Sequence, residues 1–162
     1  PSITIQLFSD YASPSCNRMC ATLPELDQAH PKELRFVWRH FPLPGAANTL
    51  PAAIAGAEVR RQKGDATFWK WTEEILGSKD RDVIRREGLD RLATKYGLDV
   101  KAFDAALDAP KVPSVVEDDL ARVGELGLNA VPTTFVGDFM IVGYAPRETL
   151  EHAVRAARGR KP

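Results

Sequence analysis

Cysteine is scarce in this chain, with Cys16 and Cys20 the only two among 162 residues. Two thiols four positions apart do not make a disulfide framework. Histidine is equally sparse. His30, His40 and His152 lie far from the cysteines and from one another, so no metal site is expected and each reads as a surface or packing residue. An excess of charge of one sign is also missing. Lys+Arg and Asp+Glu both number 22, for a formal net charge of zero. A nucleic-acid or anionic-membrane surface needs a basic excess, so no nucleic acid is expected as a partner. No apolar run approaches the ~20 residues of a membrane span. There is no signal-peptide pattern, and strand residues follow Pro1-Ser2 directly, as expected of a mature form or an excised domain.

What remains is an ordinary globular composition, 44% hydrophobic and 27% charged, in a length that suits one domain with its own core. Ile3-Thr4-Ile5-Gln6-Leu7-Phe8 is β-branched and apolar and reads as a buried strand ending at Ser9-Asp10. Ser13-Pro14 then opens a helix, with Ser as N-cap and Pro at the first helical position. Cys16, Met19, Cys20, Leu23 and Leu26 recur at helical spacing as one apolar face, and Pro24 should bend this helix by releasing the Cys20 carbonyl. Leu34 to Phe41 alternates like a strand and stops at Pro42-Leu43-Pro44-Gly45.

From Ala46 to Leu128 the pattern is helical. It divides into segments Ala46–Arg61, Ala66–Leu76, Arg81–Tyr96, Val100–Leu107 and Pro113–Leu126. The clusters Arg60-Arg61-Gln62-Lys63 and Arg85-Arg86-Glu87 read as solvated helix faces. Pro132–Val136 and Phe139–Val142 form a hairpin about Gly137-Asp138, and Pro146 opens a last helix from Arg147 to about Arg158. The order β-α-β, helical block, β-β-α predicts an α/β fold, a four-stranded sheet with helices on both faces and an all-helical insertion. One domain is expected over 1–162, with its two sheet-forming halves at 1–45 and 129–162 around an insertion at 46–128.

Three motifs carry a family resemblance that spans nearly the whole chain. Phe8-Ser9-Asp10-Tyr11-x-Ser13-Pro14-x-Cys16 resembles the Phe-Ser-Asp-Tyr-x-Cys-Pro-x-Cys of the DsbA-like branch of the thioredoxin superfamily. Phe36-Val37-Trp38-Arg39-His40-Phe41-Pro42-Leu43 resembles its second-strand signature. Ala130-Val131-Pro132-Thr133-Thr134-Phe135 resembles the loop that holds its cis-proline. The Trp-Arg-His-Phe-Pro-Leu wording is also similar to thioredoxin-like domains fused behind sodium/proton antiporters of the NhaA type. The resemblance implies a thiol–disulfide oxidoreductase lineage with no cofactor. It implies a cell-envelope location, or a cytoplasmic one for an antiporter-fused domain.

Two departures matter. The family's nucleophilic Cys maps onto Ser13, whose hydroxyl is no thiol–disulfide nucleophile. Six residues upstream, where the family often has a buried Glu that moves protons, this chain has Leu7. The candidate catalytic residues are therefore Ser13 and Cys16, and the candidate substrate-binding residues Pro14, Val131 and Pro132. Ser13 reads either as a plain helix cap or as a hydrogen-bond donor to a ligand sulfur, as in the Ser-Pro turn of kappa-class glutathione transferases. Cys16 reads as a small buried apolar residue or as a lone thiol lowered by the helix N-terminus. A Cys16–Cys20 disulfide would be strained along a helix, and a copper site would need a third ligand, so Cys20 reads as core. The leading expectation is a DsbA-like homologue with a degenerate Ser-Pro-Ser-Cys site, weak or no redox turnover, and peptide or thiol binding. The alternatives are a glutathione-dependent transferase or isomerase using Ser13, and a non-catalytic domain attached to a transporter.

Overall fold

The computed structural model describes residues 2–159. Strand β1 (Ile3–Ser9) leads into helix α1 (Pro14–Ala29) and strand β2 (Leu34–His40). The helical block holds α2 (Thr49–Gly77), a 3-10 turn (Arg81–Ile84), α3 (Arg86–Lys95), α4 (Val100–Asp108) and α5 (Ser114–Glu125). Strands β3 (Thr133–Val136) and β4 (Phe139–Val142) and helix α6 (Arg147–Arg158) complete the chain. The sheet order is β2-β1-β3-β4, with β1 parallel to β2 and antiparallel to β3. The thioredoxin-like fold expected from the sequence is the fold observed.

Alternation along β1 sorts its side chains onto two faces. Ile3, Ile5 and Leu7 pack with Met19, Leu23 and Leu26 of α1 and Leu150 and Val154 of α6. Phe8 points the other way, into a cluster with Phe41 and Val123 of α5. A third and larger core joins Tyr11, Cys16 and Trp38 to the helical block through Phe68, Trp71, Leu89 and Phe103. Tyr11 stacks on Trp38 at a centroid distance of 5.0 Å, and its hydroxyl shares a 2.9 Å hydrogen bond with Thr72. The end of β1 is thus packed directly against α2.

The structure departs from the sequence reading in the helical block. The two segments expected at Ala46–Arg61 and Ala66–Leu76 form one element, kinked at Gly64 with φ 78° and ψ −179°. Only glycine takes that conformation without a Cβ penalty, so the kink sits where the pattern breaks. The single helix expected over Arg81–Tyr96 is divided into the 3-10 turn and α3. A Cβ on Gly88 would collide with the Val83 carbonyl oxygen, so glycine lets the turn fold closely over the start of α3.

The charged clusters are more than solvated faces. The Arg60 guanidinium lies 4.0 Å from the Phe68 ring centroid, where a cation meets the ring's negative face. Arg86 bonds Asp90, Asp104 and Asp108, linking α3 to α4.

Candidate functional site

The carboxyl end of β1, the amino end of α1 and the amino end of β3 meet at one end of the sheet. Ser13 is the N-cap of α1, in extended conformation, and its Oγ accepts a hydrogen bond from the Cys16 backbone N–H at 3.3 Å. Pro14 follows at the first helical position, where no N–H is needed. Ser13 is half-buried, and Cys16 one turn on is fully buried.

The Cys16 sulfur accepts the Asp10 backbone N–H at 3.4 Å. The Ser9 hydroxyl makes no regular hydrogen bond among the described residues and is left to this sulfur as a weak donor. Burial pushes the thiol above its ordinary range, outweighing those donors, and the Asp10 charge pushes the same way. The helix end does not by itself make a thiolate here. Leu7 is fully buried, paired across the sheet with Trp38 and Thr134, and brings no carboxylate to this position.

The loop that carries Ser13 is held by residues the sequence reading did not single out. The Asp10 carboxylate accepts the backbone N–H of Ala12 at 2.9 Å and that of Leu43 at 2.9 Å. Arg81, from the 3-10 turn, donates to the Tyr11 carbonyl at 2.7 Å. Burial raises the Asp10 carboxyl, while its two N–H donors and the Arg81 charge pull it back. Across β2, Asp119 of α5 accepts the His40 backbone N–H at 2.8 Å and pairs with Arg39 at 3.2 Å.

His40 is buried and held in one tautomer. Its Nδ1 accepts the Trp38 indole N–H at 3.2 Å, so the ring proton sits on Nε2, which is buried without a partner among the described residues. Desolvation pushes its pKa down to about 3. The only hint in the sequence was the place of Asp10 and His40 inside the quoted motifs.

The Val131–Pro132 peptide is cis. Phe8 pairs with Thr133 in the antiparallel ladder, and continuing that register sets Pro132 opposite Ser9. The Pro132 carbonyl accepts the Gly143 N–H at 2.7 Å, and Val131 packs against the cluster of Tyr11 and Cys16. Ser13, Pro14, Val131 and Pro132 are thus brought to the same sheet end. Cys20 is not simply core as expected. It is half-buried, packs against two core clusters and lines a surface cavity, because that flank of α1 is left partly uncovered. Both thiols are free. Among the described residues, no group of three His, Cys, Asp or Glu is placed to hold a metal ion.

The family model described as Thioredoxin matches residues 2–156. The chain belongs to the thioredoxin family. Within it, a thioredoxin-like oxidoreductase from Silicibacter pomeroyi is similar at 27% identity and a TM-score of 0.84, over 98% of this chain and 88% of that one. The oxidised BdbD structure from Bacillus subtilis is similar in fold, with a TM-score of 0.85 at 22% identity over 98% and 89% of the two chains. These neighbours bear out the DsbA-like thioredoxin resemblance drawn from the motifs. The antiporter resemblance returns as well. A Na(+)/H(+) antiporter NhaA 1 from Mycolicibacterium gilvum is 30% identical over 159 residues, covering 97% of this chain and 25% of the antiporter. The chain spans about a quarter of the length of the curated relatives it matches. No helix among the described residues is long and apolar enough to cross a membrane.

Proposed function

We propose that this thioredoxin-family domain holds a peptide or thiol ligand at the Ser13 end and does not run a two-cysteine redox cycle. The carrying observation is the Ser13 hydroxyl in the cap position, 3.3 Å from the Cys16 N–H, with Cys16 the one sulfur there and fully buried. Thiol–disulfide exchange needs an attacking thiolate that a substrate disulfide can reach. Ser13 supplies no thiolate, and Cys16 supplies neither exposure nor a lowered pKa. In this reading the cis Pro132 turns the chain so that the Val131 backbone is offered to an extended peptide in strand fashion. The reading carries with it the division into thioredoxin halves 1–45 and 129–162 around the insertion 46–128. The outermost residues of that division, 1 and 160–162, lie outside the described residues.

The test is a dithiol-oxidation and insulin-reduction assay on the unmodified protein, with Ser13→Cys alongside. No turnover above buffer is expected from the unmodified protein. The substituted protein should form a disulfide between position 13 and Cys16, detected as loss of two of its three thiols with Cys20 still free. Robust turnover by the unmodified protein overturns the proposal.

A glutathione-dependent activity is the second reading, and one observation favours it. The Ser13 oxygen accepts the cap bond while its hydroxyl faces the Cys16 sulfur, so it already makes the kind of contact a ligand sulfur would take over. Saturable glutathione binding that Ser13→Ala abolishes would support that reading, and no binding removes it. The coverage of the antiporter relatives favours a third assignment, a domain attached to such a transporter. An upstream reading frame without hydrophobic spans would remove it.

A further inference from the structure

A cavity of about 430 Å³ lies between the middle of α1, β2 and the second half of α2, away from the Ser13 loop. Its volume falls in the range of small-ligand sites, roughly 300–1,000 Å³. Leu23, Phe36 and Trp69 make apolar and aromatic walls, and Cys20 opens onto it. Asp27 and Glu73, both exposed, stand at its rim, and no lysine, arginine or histidine lines it.

These two carboxylates differ from their neighbours. Glu74 bonds Lys95 and Tyr96, and Glu25 bonds Arg147. Neither the Asp27 nor the Glu73 side chain has an ion pair or hydrogen bond among the described residues. Cations are placed beside the adjacent acids and not beside these. Glu73 lines the cavity beside Cys20, and its charge adds to burial and to the neighbouring Cys16 in pushing that thiol upward. Thr72 also lines the cavity, but its hydroxyl is already engaged with Tyr11. An anion would meet two like charges here and no donor of opposite sign. A neutral apolar molecule would leave both carboxylates unused. An ammonium group with an apolar body meets carboxylates at the rim and aromatic faces inside.

We propose that this cavity binds a small organic cation, an arylalkyl ammonium, with its ring between Leu23, Phe36 and Trp69 and its charge between Asp27 and Glu73. The site is separate from the Ser13 end and does not depend on the function proposed there.

The probe is phenethylammonium, titrated into the unmodified protein. Binding is followed by tryptophan emission and by the rate at which a small alkylating reagent modifies Cys20. Trp38 and Trp71 are fully buried, so Trp69 is the tryptophan in a position to respond. Saturable quenching is expected, with slower Cys20 modification over the same concentrations. Affinity should fall ~tenfold in Asp27→Asn/Glu73→Gln, the scale of losing two exposed ion-pair partners at once. The neutral analogue 2-phenylethanol on the unmodified protein should show a similar loss, and this arm needs no substitution to fold. No saturable response overturns the proposal. Equal affinity for the alcohol, or undiminished binding by the double variant, overturns its cationic specificity and with it the proposal.

Discussion

Cys16 and Cys20 stand one turn apart on α1 and meet opposite surroundings. Cys16 is sealed under Tyr11 and Trp38, takes a backbone N–H from Asp10 and has serine hydroxyls beside it. Cys20 opens onto a cavity, has no hydrogen-bond donor of that kind among the described residues and feels the charge of Glu73. Burial raises both thiols, so neither is poised as a thiolate at neutral pH. A redox cysteine needs a stabilised thiolate and an open path together. Here one site keeps the donors and the other keeps the path. On the proposed reading, four residues of helix separate what that chemistry requires in one place.

The comparison breaks most visibly in thiol reactivity. Cys20 should be alkylated in the native protein, whereas Cys16 should wait for an opening of the fold, a difference on the order of 10³-fold set by the free energy of that opening. Peptide mass mapping after timed alkylation reads it. Equal rates at the two positions would show that Cys16 is not sealed.

The sealed side also carries a pH signature. The His40 pKa is pushed down to about 3, so the unfolded chain takes up a proton that the native state refuses. That contribution to stability is complete above pH 6.5 and is lost as pH falls from about 6.5 toward about 3, by on the order of a few kcal/mol. The Asp10 and Asp119 carboxyls are raised by burial and act in the opposite sense. The native state binds their protons more readily, which favours folding as pH drops. Urea unfolding of the unmodified protein and of His40→Gln, at several pH values, isolates the histidine. The variant should lose up to one proton's worth of slope. Parallel curves for the two proteins would assign the acid sensitivity to other groups.

The smallest effect belongs to the cap. Ser13→Ala removes the acceptor for the Cys16 N–H and should cost ~1 kcal/mol. That is a fall in thermal midpoint of roughly 2–4 °C for a chain of this size. A larger loss would mean that the hydroxyl supports more than the first turn.

Much of this was legible locally. Ser13-Pro14 announces a capped helix because both signals are set by adjacent residues, and α1 begins at Pro14 behind that cap. β-Branched alternation marked β1 and β2, and the cis Val131–Pro132 bond lies where the third motif put it. Contacts between distant segments were not legible. Nothing near residue 40 announces that Asp119 accepts its N–H, and nothing in Arg86 names three aspartates as partners. The cavity escaped notice for the same reason. Phe36 and Trp69 share a wall only after α2 has turned at Gly64, and a helical face read from one helix cannot show what its neighbour leaves uncovered.

The bonds that hold the Ser13 loop reach far along the chain. Leu43 lies 33 positions from Asp10, and Arg81 lies 70 from Tyr11, yet each is a single hydrogen bond away. The loop is a junction where the entrance to α2 and the turn before α3 are both anchored. A shift of either segment would have to carry or break one of these bonds. The helical block, which contributes no residue to the proposed ligand edge, is thereby one of the supports of the loop beside it.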